Sequence, residues 1–142
     1  MSHLPELAAL HPDVHTQEFW DWCARRELRF QRCGGCGRFR HPPRPGCPHC
    51  GATDVAWVRS EGRGRVFTFT IAHHAAFPAL AGALPYNVTS VVLDDVPGVR
   101  LVTNVLDVAP AALAIDLPVV LAWDEPQPAV VLPRFRPART SE

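Results

Sequence analysis

Four of the five cysteines in this 142-residue chain lie in one stretch, CGGCGRFRHPPRPGCPHC, residues 33–50. They form two Cys-x-x-Cys pairs, Cys33/Cys36 and Cys47/Cys50, with ten residues between the pairs. A Cys-x-x-Cys turn sets two thiolates on one side of a tight loop. Two such loops supply the tetrahedral four-sulfur cage that zinc takes, at metal–sulfur distances of about 2.3 Å. Gly34, Gly35 and Gly37 suit the close backbone of the first pair, and Pro48 stiffens the second. The spacing predicts a bound zinc with Cys33, Cys36, Cys47 and Cys50 as its ligands. Four protein thiolates leave no open position for water or substrate, so the predicted role is structural. Disulfides are the rival reading. The N-terminal MSHLPELAALHPD carries no basic region or cleavage site, which argues against an oxidising compartment and predicts a cytoplasmic protein. Beside four sulfurs, His41 and His49 read as bystanders or supports, with ligation as the competing role. Cys23, in a predicted helix, reads as a small buried hydrophobe before a nucleophile.

Other chemistry is sparse. All 14 basic residues are arginine, so a lysine Schiff base is excluded. The four serines, Ser2, Ser60, Ser90 and Ser141, stand in no nucleophile-elbow sequence. His73-His74 offers imidazole for acid–base work or for holding a thioester carbonyl, or marks a strand end at an interface. No apolar run approaches the roughly 18–20 residues of a membrane span. The net charge of zero hides an asymmetry. Ten arginines lie between Arg25 and Arg65 against three acids, whereas residues 66–133 hold only Arg100 against six acids. A solvated surface explains such a patch; so does a phosphate-bearing partner or an acidic protein face.

The elements that must position these groups are legible from periodicity. Residues 1–14 read as an irregular or short helical lead-in. Thr16 is placed to cap a helix running to about Arg26, with Phe19, Trp20, Cys23 and Ala24 on one side and Trp22 at its flank. LRFQRC alternates as a strand into the first knuckle. Short alternating strands follow: VAWVR (55–59), GRVFTFTIA (64–72), YNVTSVVLD (86–94), VRLVTNVLD (99–107), PVVLAWD (118–124) and AVVLP (129–133). Phe67, Phe69 and Ile71 share one face of the second of these and read as core. Gly62 and Gly64 permit a sharp turn before it, and VAPAALAI adds a helical turn. Five or six such strands predict a mainly β chain ending in a small closed barrel.

The order of these parts resembles the DUF35 family of acyl-CoA-associated proteins. The resemblance rests on the aromatic helix FWDWCARRELRFQRC, the ribbon, the strand GRVFTFTIAHHAAFP and the finish LPRFRPA, and runs from about His15 to Ala138. It implies a helical segment over residues 1–30, a rubredoxin-like zinc ribbon over 31–52 and an OB-fold over 53–142. Asp116 departs from the family, which usually has glycine there. The resemblance further implies a non-catalytic partner subunit of thiolase-like enzymes: acetyltransferases, hydroxymethylglutaryl-CoA-type synthase complexes, or aldolases that cleave steroid side-chain CoA thioesters. Acyl-CoA is then the expected ligand. Arg63 and Arg65 are the candidate phosphate forks, with plain exposed turn arginines as the alternative. His73 and His74 are candidate ligand contacts. The apolar loop AAFPALAGALP, with Phe77 and Leu80, is a candidate acyl-channel lining or partner plug. A single-stranded nucleic-acid module is the competing expectation, since ribbons and OB-folds both bind strands through basic grooves and aromatics.

Overall fold

The computed structural model describes residues 10–141; most of the expected lead-in lies outside the described residues. Thr16 stands at the N-cap of helix α1 (Gln17–Ala24) but makes no side-chain cap bond to it; the side-chain bonds at this end come from Asp13. The Asp13 carboxylate accepts the N–H of His15 and of Thr16, both at 2.9 Å, and the Thr16 hydroxyl at 3.0 Å. These bonds, the Thr16 N–H first, hold the Asp13 carboxyl below its usual range. The helix is shorter than periodicity suggests, and the chain leaves it through Arg26 at φ 58°. Phe19 and Cys23, four residues apart, share its buried face. Burial pushes the Cys23 thiol up to about 12, so it is an inert core group.

Two sheets follow. Strands β1 (Arg29–Cys33), β2 (Phe39–Arg40) and β3 (Val55–Arg59) form the ribbon sheet in the order β2-β1-β3. β3, expected among the barrel strands, instead pairs antiparallel with β1 from Arg29↔Arg59 to Cys33↔Val55. Alternation identifies a strand but not its neighbour, which explains the difference. Strands β4 (Arg63–Ala72), β5 (Tyr86–Leu93), β6 (Val96–Thr103), β7 (Pro118–Gln127) and β8 (Val130–Pro137) form a curled sheet in the order β6-β5-β4-β7-β8. Single 3-10 segments at Pro78–Ala83 and Pro110–Ala112 bridge β4–β5 and β6–β7.

A bulge in β4 changes which aromatics reach the core. Val66 pairs with Val91 and Thr68 with Ser90, so Phe67 is the extra residue. Gly64 and Val66 face inward before the bulge; after it the inward set is Phe69 and Ile71, packed against the core. Phe67, expected inside, is 41% exposed, and the Arg100 guanidinium lies 4.0 Å over its ring. Gly64 answers close approach, not a turn: a Cβ there would run into the Val92 carbonyl oxygen.

The curled sheet closes through polar groups. Asn87 acts as a backbone surrogate for Val105, donating to its carbonyl and accepting its N–H, both at 2.8 Å. Thr89 donates to the same Asn87 oxygen, and the Asn104 amide donates to the Asn87 carbonyl. Beside them Val105 bridges Phe135 in parallel, and the Thr103 hydroxyl donates to the Pro133 carbonyl at 2.8 Å. Helix, ribbon and barrel share one apolar cluster that includes Phe19, Phe30, Val66, Val91, Val105 and Phe135.

Replacing Asn87 with alanine strands the buried N–H and carbonyl of Val105. The expected loss is about 3 kcal/mol, read from urea unfolding with an unchanged slope; a loss below about 0.5 kcal/mol would show that this clamp does not close the barrel.

Candidate metal centre and its surroundings

The two knuckles repeat one geometry. Gly37 donates its N–H to the Cys33 carbonyl at 3.0 Å, and Gly51 donates to the Cys47 carbonyl at 2.9 Å. Both glycines sit at φ 76°, where a side chain is strained, so the local signature is Cys-x-x-Cys-Gly in each half. Gly51 is the half of that repeat which the spacing of cysteines alone does not reveal. Backbone amides then turn onto the sulfurs. The N–H groups of Cys36 and Gly35 point at the Cys33 sulfur from 3.4 and 3.3 Å, and they bring that thiol down to about 6. The N–H groups of Cys50 and His49 likewise lower the Cys47 thiol. Thiolate, the metal-binding form, is thereby favoured at Cys33 and Cys47; the Ala52 N–H acts in the same direction on Cys50, but the neighbouring sulfurs, Cys33 first, and burial push that thiol up to about 11.

All four sulfurs lie within 4.8 Å of one another, with Cys33 and Cys50 at 3.5 Å and Cys36 and Cys47 at 3.6 Å. Tetrahedral zinc with bonds of about 2.3 Å requires sulfur–sulfur edges of about 3.8 Å, so the cage fits the ion. Zinc bound there supplies a cross-link between the two knuckles. Neither ring histidine joins the cage. His41 packs against Phe19 and Phe30 at centroid distances of 4.9 and 5.3 Å, and burial lowers its pKa to about 4. His49 is exposed.

A divalent ion with four thiolates carries a net charge of two negative. Arg40 is buried, with its Nε donating to Gln31 at 2.9 Å and Nη2 to the Arg44 carbonyl at 3.0 Å. Among the described residues, no carboxylate lies within ion-pair distance of Arg32, Arg38, Arg40 or Arg44. The buried Arg40 guanidinium is therefore held by an amide and a carbonyl oxygen, and its Nη1 has no hydrogen-bond partner among the described residues.

The other candidate residues do not converge. Arg63 and Arg65 stand at the start of β4, and His73 and His74 follow its end. At about 3.3 Å per residue, roughly 25 Å of strand separates Arg65 from His73. Arg65 pairs with Asp116 at 3.3 Å, both exposed, whereas Arg63 has no carboxylate within ion-pair distance among the described residues. Asp116 adopts φ 67°, the conformation that suits a glycine, and its N–H still donates to the Val66 carbonyl at 2.8 Å. His73 and His74 are exposed. In the following loop Phe77 is 60% exposed, while Leu80 is buried. A cleft of about 300 Å³ between the edges of β6 and β8, walled by Phe19, Trp20, Leu101 and Leu132 with Arg100 and Arg134, had no counterpart among the sequence candidates. Its one sequence signal is Pro133 in LPRF, which brings no N–H to an edge ladder.

Replacing Cys33 or Cys47 with serine should remove the bound zinc and lower the melting midpoint by roughly 10 °C or more, because metal and folding free energies are linked. Zinc analysis and calorimetry check this; one zinc per chain with unchanged melting would contradict it.

Residues 20–56 match the family described as the ChsH2 rubredoxin-like zinc ribbon domain, and residues 57–124 match the ChsH2 C-terminal OB-fold domain. Among solved structures, the chain is similar to an "Ltp2-ChsH2(DUF35) aldolase" at 40% identity and TM-score 0.83, covering 92% of this chain and 100% of that one. A DUF35 protein of unknown function from Sulfolobus solfataricus shares the fold at 14% identity and TM-score 0.61, over 95% of this chain and 93% of that one. A probable enoyl-CoA hydratase alpha subunit of Thermomonospora curvata is 46% identical over 140 residues, 97% of this chain. The 3-oxo-4,17-pregnadiene-20-carboxyl-CoA hydratase alpha subunit of Mycobacterium tuberculosis is 38% identical over 105 residues, 73% of this chain. The chain spans 43% and 32% of those two relatives' lengths. No helix among the described residues is long and apolar enough to cross a membrane. With ribbon and barrel each matched, and a relative covered from end to end, the chain belongs to the ChsH2-type DUF35 family of zinc-ribbon and OB-fold proteins.

Proposed function

We propose that this chain is a non-catalytic accessory subunit of a thiolase-superfamily enzyme acting on acyl-CoA thioesters. A steroid side-chain CoA-thioester aldolase is the leading assembly, and an acyltransferase complex is the other. The observation that carries the reading is the end-to-end match, at 40% identity, to a structure described as an Ltp2-ChsH2(DUF35) aldolase. The metal site is consistent with it. Zinc closed by four thiolates organises a fold and leaves the chemistry to another subunit.

Within this reading the CoA phosphates belong to the Arg63 end of β4. Arg63 leads there because its guanidinium meets no carboxylate among the described residues, while Arg65 is shared with Asp116. His73, His74 and Phe77 belong to the other end, facing the partner or its acyl channel. An exposed apolar ring such as Phe77 gains most by burial against a second surface. One observation favours the single-strand-binding alternative: Phe67 is exposed with Arg100 stacked on it, as a base-stacking platform requires.

Co-expression with an Ltp2-type subunit, followed by calorimetry with a CoA thioester on the complex and on each part, tests the reading. The complex should bind the thioester at least about tenfold more tightly than either part, a difference of about 1.4 kcal/mol. Replacing His73 and His74 with alanine should leave folding intact and lower turnover no more than a few-fold. Turnover by this chain alone, or total loss of activity in an intact variant complex, would contradict it.

A further inference from the structure

The curled sheet leaves its edges unzipped on one side. β6 and β8 meet at Val105↔Phe135 and through Thr103 and Pro133. At the level of Leu101 and Leu132 the two edges instead frame the cleft of about 300 Å³, and the ribbon's Pro42 and the helix's Trp20 wall it on the outside. Val102, 69% exposed, is a lip of that cleft. It is also the first residue of a second surface, the outer face of β4, β5 and β6, where Thr68, Ser90 and Val102 stand in register and Thr70 pairs with Val88. Phe67 and Val88, 41% and 37% exposed, extend the apolar part of this face. The strand pair then continues through Ala72↔Tyr86 to the loop that carries Phe77.

The charge on this surface has one sign. Arg100 stacks on Phe67 with no carboxylate in ion-pair range among the described residues. Arg134, its side chain only 16% exposed, is ion-paired through Nε with the buried Asp124 carboxylate at 3.7 Å. Arg100, with no carboxylate partner among the described residues, and Arg134, whose pairing to Asp124 engages Nε alone, thus flank an apolar cleft and an apolar face. A small ligand filling the cleft would leave Phe67, Val88 and much of Val102 in water. A protein surface covers all of them, and its complement to two arginines is carboxylate.

Resting on the accessory-subunit reading, we propose that the surface from the Trp20 cleft across Val102 to Val88 docks the partner enzyme subunit, through a segment with an aliphatic or aromatic anchor flanked by Asp or Glu. The anchor enters the cleft between Leu101 and Leu132, and its acidic neighbours meet Arg100 and Arg134. This gives the interface a desolvated centre with a charged rim, the arrangement that concentrates binding energy in few residues.

The test uses the zinc-loaded full chain and the Ltp2-type subunit, with the dissociation constant read by calorimetry. Val102→Asp and Arg100→Glu, both at exposed positions, should each weaken the complex at least tenfold. Ile115→Asp, an exposed apolar residue outside this surface, should change it less than twofold. Arg100→Ala should flatten the dependence of affinity on salt between 50 and 500 mM, on the order of one counterion fewer. Zinc content and melting confirm folding; should Val102→Asp fail to fold, Arg100→Glu decides. Wild-type affinity in folded Arg100→Glu and Val102→Asp overturns the docking surface and leaves the accessory reading standing. No complex with the wild-type chain overturns both. A self-dimer, or binding to an oligothymidine strand, that is abolished by these same substitutions while the enzyme complex persists assigns the face to that occupant and overturns the proposal.

Discussion

Four sulfur atoms held within 4.8 Å are the constraint on which the rest of this structure depends. The ribbon they close has little else to hold it. β2 is two residues long, and β1 and β3 are five each, too short to be stable by strand pairing alone. Cross-linked by zinc, the ribbon delivers β1 as a fixed element. β1 ends in the ligand Cys33 and carries Phe30 into the apolar cluster shared with the barrel.

From β1 the constraint passes outward by packing. Phe30 and Phe19 hold the His41 ring, and His41 and Pro42 set one wall of the cleft on the barrel's open side. The barrel contributes the other walls, and the Asn87 clamp decides where its edges stop meeting. Polar closure at one end and an apolar opening at the other are therefore two results of one arrangement. Backbone groups near Val105 are satisfied by Asn87 and Asn104, while Pro133 brings no N–H to extend the ladder.

Much of this was legible in the sequence because it rests on fixed spacing. The Cys-x-x-Cys pairs, the apolar face of the short helix, the five barrel strands and the turn at Pro110 all follow from local periodicity. The misreadings share a cause: each depends on a non-local event. One extra residue at Phe67 reverses the inward face of β4, and alternation cannot see a bulge. VAWVR alternates as well in a ribbon as in a barrel. Thr16 is the N-cap, but the side-chain bonds that organise this end come from Asp13, three residues upstream. Asn87, Thr89 and Asn104 look like solvent-facing strand residues until their buried bonds to a distant strand are seen. The cleft belongs to a helix, a ribbon and two strand edges, so no single segment announces it.

Native mass spectrometry of the chain mixed with an Ltp2-type subunit, with and without zinc, tests most directly the link from metal to ribbon to partner. The account predicts that every complex carries one zinc per copy of this chain and that the metal-free chain forms none. A metal-free chain that keeps its order and assembles to the same extent would contradict it.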